Sequence, residues 1–218
     1  MVSTKPLGLK GEKSMIRLRC HAQLVIKFYL AVFLLAGCAE TTMTPTFRAA
    51  KGLSRPDRVL VFDFAVTPEE AGAERQSGAA VQTEDDVRVG KALARALSAN
   101  LVSELRSRGI EAARAADSAA PGETTASVRG KFLRTDGGDS TSNTVGFTLR
   151  DGRVRTRVQL LQGTGLKMQL VGEGDTVTPS GLKPGAAGDA TVDADAQRTA
   201  QVLAERIAGY YRQEGWIK

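Results

Sequence analysis

Four arginines stand close together in the segment TLRDGRVRTRV: Arg150, Arg153, Arg155 and Arg157. If this segment is a β-strand, the alternation at positions 153, 155 and 157 places three guanidinium groups on one face. A row of guanidinium groups can hold phosphate or carboxylate bidentately. The pattern therefore predicts a site for lipid headgroups, lipopolysaccharide or an acidic protein partner. The alternative is a solvated sheet face whose arginines pair partly with acidic residues.

Cys38 follows a short apolar run and a small residue. The run, residues 28–36, has nine apolar residues, whereas a membrane-spanning helix needs about 20. Basic residues precede it, which is typical of a secretory signal. The stretch Leu35-Ala36-Gly37-Cys38 resembles the lipobox of bacterial lipoproteins. The resemblance implies that residues 1–37 are a signal peptide and that Cys38 carries fatty acyl groups, palmitate among them.

Two positions near this motif bear on the start and the location of the protein. Met15 would give a signal of more usual length than Met1, so either residue can be the true start. The residue after the cysteine is Ala39. Aspartate at that position favours the inner membrane in enterobacterial lipoproteins, so Ala39 favours the outer membrane, facing the periplasm. The inner membrane remains the alternative.

Charge and rare residues limit the chemistry of the chain. It carries 30 basic and 24 acidic residues, of which six basic and one acidic residue precede Cys38. The remainder is nearly neutral, which does not favour binding to nucleic acid. Cys20 and His21 also precede Cys38, so the mature chain lacks the residues for Ser-His-Asp or Cys-His catalysis and for a His/Cys zinc site. We therefore expect no enzyme activity, no metal and no cofactor.

The other polar motifs are interpreted as structural. Ser180 and Lys183 match the Ser-x-x-Lys pattern, but prolines flank them and the partner motifs of penicillin-recognising enzymes are missing. A group of aspartates could meet calcium but lacks the EF-hand spacing, which favours solvated loop and helix-cap residues. These are Asp85, Asp86, Asp136 and Asp139.

Two segments show the apolar spacing of amphipathic helices. The first covers residues 84–108, with acidic residues in its first turn and Gly109 where a C′ glycine belongs. The second begins near residue 191 and ends at Gly215. The apolar pair Trp216-Ile217 follows it and is expected to fold back onto the sheet. We expect Tyr210, Tyr211 and Trp216 to pack in the core, with a partner-binding aromatic patch as the alternative.

Apolar and alternating segments predict the strands. They are residues 58–66, 110–115, 125–134, 144–161 and 166–174. Asp151-Gly152 predicts a two-residue hairpin turn that pairs Leu149 with Val154 and Val145 with Val158. Residues 175–190 are rich in glycine, proline and threonine and are predicted to be a loop.

The order strand, helix, strands, helix predicts an α/β (α+β) domain. We expect a two-layer sandwich in which a mixed sheet of about five strands carries two helices on one face. This single domain covers residues 57–218. Residues 38–56 are polar, contain two prolines and show no periodicity. They are predicted to be a flexible tether between the lipid and the domain.

Several of these segments together resemble a bacterial family catalogued as domain of unknown function 4410. The resemblance rests on the lipobox, the VFDF strand, the first helix ending at Gly109, and the stretches VRGKFLRTDGGDS, VGFTLRDGRVRTRVQLLQGTG and GYYRQEGWI. It covers roughly residues 57–217. The family has no established activity, so the resemblance implies an uncharacterised bacterial lipoprotein and no specific chemistry.

The sequence favours a non-enzymatic accessory or interaction protein of the cell envelope. It would be tethered to the membrane by its lipid and would bind another envelope protein. One alternative is a subunit of an oligomeric secretion or transport assembly. Another is an enzyme that uses only carboxylates, which would need two acidic residues converging in one pocket.

Overall fold

The computed structural model describes residues 42–47, 53–73, 81–115, 125–134, 144–164 and 167–218. All of them belong to a compact unit that covers Glu40–Lys218. The predicted signal peptide, Cys38 and Asp136 and Asp139 lie outside the described residues. The elements are the strands β1 Thr42–Phe47, β2 Arg58–Val61, β3 Ala112–Arg114, β4 Thr125–Arg134, β5 Thr144–Val145, β6 Arg153–Thr164 and β7 Lys167–Pro179, and the helices α1 Glu84–Ser107 and α2 Asp189–Gln213.

The strands form one mixed sheet in the order β1-β7-β6-β4-β2-β3, with β5 paired to β4. The strand β2 runs parallel to β3 and β4, and the other pairs are antiparallel. Both helices pack against the sheet, and the predicted α+β architecture is confirmed. Within the described residues the sheet has seven strands rather than about five. One addition is β1, which lies along β7 inside the range 38–56 predicted to be a tether.

The helix α1 forms where the sequence predicts it. Thr83 and Asp86 make a reciprocal capping box at its start, and such a box satisfies two backbone N–H groups that no helix carbonyl can reach. Five apolar residues at spacing four are at most 1% exposed and face the sheet. They are Val89, Leu93, Leu97, Leu101 and Leu105. Gly109 follows the helix with a φ of 77°, a conformation that glycine adopts without strain.

The helix α2 ends with an aromatic cluster. Tyr210 and Tyr211 are each 2% exposed. The ring of Trp216 lies 5.6 Å from that of Tyr210 and 5.2 Å from that of Tyr211, nearly perpendicular to both. Edge-to-face contacts of this kind are favourable, and Ile217 also packs against the core. The chain therefore folds back after Gly215. Tyr210 and Tyr211 are core residues as predicted, and the partly exposed Trp216 packs against the core.

The predicted hairpin at Asp151-Gly152 is wrong. The strand β6 pairs with β4 and β7, whereas β5 pairs antiparallel with the end of β4, where Val145 faces Leu133. The predicted partners Val145 and Val158 thus lie on different neighbours of β4. Gly152 does have the positive φ of a turn residue, at 57°, so the turn signal was real but does not join two paired strands.

Burial explains why the local turn signal did not decide the pairing. Phe147 and Leu149 are 3% and 4% exposed and belong to the core. Their backbone is held by α1 and the residues before it. The Gln82 amide donates a hydrogen bond to the Phe147 carbonyl, and the Leu149 N–H donates one to Asp86 Oδ1 at 2.9 Å. Burying two large apolar side chains is worth several kcal/mol, more than a favourable turn sequence contributes.

The strand β7 is longer than predicted. It continues from Lys167 to Pro179, through residues assigned to a loop. Residues 172, 174, 176 and 178 of β7 are buried, whereas 173, 175 and 177 are partly exposed. This alternation is diluted by glycines and threonines, so it carries a weak apolar signal in the sequence.

Gly130 allows a close approach between β4 and the segment that follows β2. A Cβ atom at this position would lie 2.2 Å from Cε1 of Phe64. Phe64 is 2% exposed and packs against Phe132, with ring centroids 6.0 Å apart. The ring is therefore held in the core and cannot move aside freely.

We predict that Gly130→Ala destabilises the protein by about 1–3 kcal/mol, since the added methyl group overpacks a dense core. The free energy of unfolding from urea titration measures the effect. Gly209→Ala is the matched control, because Gly209 lies in α2 with no atom near its missing Cβ. It should be neutral or slightly stabilising. Equal stability of Gly130→Ala and the parent would show that Phe64 is not confined.

Candidate anion-binding face and cleft

Three of the four predicted arginines share the sheet face opposite the helices. Val154, Thr156 and Val158 of β6 are buried toward the helices. Arg153, Arg155 and Arg157 alternate with them and are exposed or partly exposed. This face is called the outer face below. The strand register thus brings together the row that the alternating sequence predicts.

Arg157 is already paired within the sheet. Its Nε and Nη2 donate to Oδ1 and Oδ2 of Asp175, both at 2.7 Å, and Asp175 is its direct register neighbour on β7. Glu173 lies 3.6 Å from the same Nε. The bidentate bond to Asp175 raises the pKa of Arg157 further, although partial burial opposes this. Arg157 therefore contributes little net positive charge to the outer face.

Arg153 and Arg155 make no hydrogen bond or ion pair with any residue that the structure describes. Two cations that the sequence analysis did not select stand beside the row on β4. Lys131 is the register partner of Arg157, and Arg129 lies two residues before Lys131 on the same strand. The alternation in TASVRGKFLR places both residues opposite the buried Val128 and Phe132, so this signal could have identified them.

Arg150 is separated from the row. It follows Leu149, whose N–H is bonded to the buried carboxylate of Asp86 at the start of α1. Burial by itself would raise the pKa of Asp86. The hydrogen bonds from Leu149 and Thr83 and the positive charge of Arg150 outweigh that effect, so the pKa lies below its usual value. The charge of Arg150 thus stabilises the Asp86 carboxylate at the start of α1 and does not add to the outer face.

A cleft of about 720 Å³ opens where the chain leaves β2. One side is formed by α1, with Lys91, Ala94 and Arg95, and the other by the outer face. The segment 62–66 also lines the cleft. Its backbone is fixed to β4, because the Ala65 N–H donates to the Gly130 carbonyl at 2.9 Å and the Ala65 carbonyl accepts from the Phe132 N–H at 2.9 Å.

The cleft is lined by more positive than negative side chains. The cations are Lys91, Arg95, Arg129, Lys131 and Arg157, and the acids are Asp63 and Glu70. Arg129 lies over the ring of Phe62, with its guanidinium carbon 4.4 Å from the ring centroid. A cation over an aromatic face is attracted to it and held in place.

Both acids of the cleft are engaged by cations. Arg114 donates to both carboxylate oxygens of Asp63, at 2.6 and 2.7 Å. Glu70 accepts from the Val66 N–H at 2.8 Å and lies 3.1 Å from Lys91 Nζ. Partial burial raises the pKa of Glu70, but these bonds outweigh it and the pKa falls below its usual value. Both carboxylates of the cleft are therefore held in ion pairs.

The remaining candidate motifs have structural partners. The Ser180 hydroxyl donates to Asp195 Oδ2 at 2.6 Å, while Lys183 is exposed. Asp86 belongs to the capping box of α1, and Asp85 pairs with Arg88 at the surface. Across the described ranges, no group of three or more His, Cys, Asp or Glu residues is placed to hold a metal ion.

Comparison with known families assigns the chain to one of them. The family model described as "Domain of unknown function (DUF4410)" matches residues 59–208. The chain belongs to this family. The match covers β2 through most of α2, which includes the cleft and the outer face. No curated protein matches the chain.

Several solved structures are similar to this DUF4410 chain, including the following two. One is a PelC dodecamer from Paraburkholderia phytofirmans, at 13% sequence identity and a TM-score of 0.38, covering 76% of this chain and 98% of that chain. The other is protein XCC0632 from Xanthomonas campestris, of family DUF330, at 15% identity and a TM-score of 0.38, covering 78% of this chain and 96% of that chain. Among the described residues, no helix has the length and apolar character needed to cross a bilayer.

We predict that Asp86→Asn lowers the free energy of unfolding by about 1–3 kcal/mol at pH 7, because a buried charge-assisted network is lost. The pKa of Asp86 is lowered in the folded state. Its ionised form therefore stabilises the fold above the ordinary carboxyl pKa of about 3.9, and the contribution disappears as the pH falls through the folded-state value. The difference between parent and variant should shrink below about pH 4.

Urea titrations of both proteins from pH 3 to pH 8 measure this difference. Asp85→Asn is the control, since the partner of Asp85 among the described residues is the exposed Arg88, and it should change the stability by less than about 0.5 kcal/mol. A difference between Asp86→Asn and the parent that stays constant with pH would contradict the assigned role of the charge.

Proposed function

We propose that this DUF4410 protein is a non-enzymatic lipoprotein of the bacterial cell envelope. In this proposal, Cys38 is acylated and anchors the domain to a membrane, most consistently the outer membrane on its periplasmic side. The domain then presents its outer face to an acidic envelope component. Arg153 and Arg155 are the residues of this face that carry the interaction.

The outer face is the single observation that carries the binding role. The two helices cover the opposite face of the sheet. In the described part of the chain, Arg153 and Arg155 have no carboxylate partner, whereas Arg157 is held by Asp175. Unpaired arginines beside one another attract carboxylate and phosphate groups. This narrows the predicted group of four arginines to two that are free to bind.

The engaged acids support a non-enzymatic role. Catalysis by carboxylates alone needs two groups in one cleft, one of them with a raised pKa. The two acids that line the cleft are Asp63 and Glu70. Asp63 is bonded to Arg114, and the pKa of Glu70 is lowered rather than raised.

We predict that the parent protein carries acyl groups on Cys38 and that Cys38→Ser abolishes both acylation and cleavage after Gly37. Mass spectrometry of the amino-terminal peptide, with membrane fractionation, measures both. Met15 can be tested in the same experiment, because the precursor mass reports the start. A Cys38→Ser variant that is cut at the same bond and fractionates with membranes like the parent would refute the anchor.

The binding role is tested with the double variant Arg153→Gln and Arg155→Gln in the full-length protein. Affinity capture from cross-linked membranes should recover an envelope partner with the parent and lose it with the variant. The matched control is Arg206→Gln with Lys183→Gln, which removes the same charge from exposed positions elsewhere. Equal recovery by all three proteins would refute the role of the outer face. The native mass of the captured complex distinguishes a single subunit from an oligomeric assembly.

A further inference from the structure

The cleft lies at the end of β2, where the chain continues toward α1. The chain leaves β2, forms α1, and returns as β3 on one side of β2, while β4 pairs on the other side. All three strands are parallel. A crevice opens past the carboxyl end of β2, beside the middle of β4. The segment 62–66 lines this crevice.

Three cations of the cleft remain without a carboxylate partner. Lys91 is neutralised by Glu70, and Arg157 by Asp175. This leaves Arg95 on the helix side and Arg129 and Lys131 on the sheet side, none of which pairs with an acid in the described ranges. Charges of one sign on both sides of a concave site focus the field within it and raise the local concentration of an anion.

The site also offers a fixed apolar surface. Phe62 is 6% exposed and holds Arg129 over its ring, so it positions that cation rather than facing a ligand. Ala65 and Ala94 are small and line the same cleft. Because Ala65 is bonded to β4 at both its N–H and its carbonyl, this surface does not have to be ordered when a ligand binds. Sites that are formed in advance lose less entropy on binding.

We infer that this cleft binds a phosphate-bearing ligand. Arg95, Arg129 and Lys131 hold the phosphate, and Ala65 contacts the carbon skeleton attached to it. Three unpaired cations suit a phosphate better than a single carboxylate, since an arginine fork bonds two phosphate oxygens at once. The volume of about 720 Å³ lies within the range of roughly 300–1,000 Å³ that is usual for small-molecule sites.

The same chemistry can come from a lipid headgroup or from a soluble phosphate ester. The test uses the full-length protein in a neutral detergent and isothermal titration calorimetry with four probes. They are inorganic phosphate, glycerol 3-phosphate, dihexanoyl phosphatidylglycerol below its micellar concentration, and dihexanoyl phosphatidylcholine. We expect one molecule of glycerol 3-phosphate or of the phosphatidylglycerol to bind per chain. Binding of glycerol 3-phosphate would identify the ligand class as a soluble phosphate ester. Binding of the phosphatidylglycerol would identify it as a lipid headgroup.

The variants identify the site. The double variant Arg95→Gln with Lys131→Gln should lower the affinity for the probe about tenfold or more, as expected for the loss of charge-assisted hydrogen bonds. Arg206→Gln with Lys183→Gln should leave the affinity unchanged. Arg95 and Lys131 hold no other described residue in place, and the single variant Arg95→Gln, which alters only the helix side, should weaken binding as well.

Two results would overturn the inference. One is the absence of saturable binding by all four probes. The other is an equal loss of affinity in the cleft variant and in the control, which would indicate attraction to the total charge alone. Neither result depends on Cys38, Arg153 or Arg155, so the inference and the proposed function can fail separately.

Discussion

A single buried carboxylate joins the start of α1 to the segment between β5 and β6. Asp86 accepts hydrogen bonds from the Thr83 N–H, the Thr83 hydroxyl and the Leu149 N–H. The first two define where the helix begins, and the third fixes the segment between β5 and β6 against it. The cations on the helix side of the cleft, Lys91 and Arg95, follow within the next turns. Their positions therefore depend on a group that itself lines neither the cleft nor the outer face.

The helices could be predicted because their signals are local. The acidic first turn, the four-residue apolar spacing and Gly109 all lie within α1 or next to it. The strand pairing could not be predicted in the same way. Asp151-Gly152 indicated a hairpin, but Phe147 and Leu149 gain more by burial under α1, which the local sequence does not encode. The strand β1 was missed because a polar segment with prolines gives no periodic signal, and only the edge of β7 provides its partner.

The candidate site shows the same division. Alternation in β6 predicted the row Arg153, Arg155 and Arg157, and the same rule applied to β4 would have added Arg129 and Lys131. What alternation cannot give is the state of each charge. The positive charge of Arg157 is balanced because the register of β6 and β7 places Asp175 opposite it. The cleft forms between α1 and the sheet, so its shape depends on how the helix packs. No single segment of the sequence therefore predicts the cleft.

The sheet combines contacts between near and distant parts of the chain, and this has a consequence for the order of assembly. The strands β6 and β7 are adjacent in sequence, and α1 forms through its own turns, whereas the parallel pairing of β2 with β4 joins Val61 to Val128. Closing so long a loop costs entropy before it yields contacts. The crevice beside β2 exists only after that closure. A molecule that needs both of its sides therefore recognises the completed domain alone, and its binding free energy adds to the stability of that folded state.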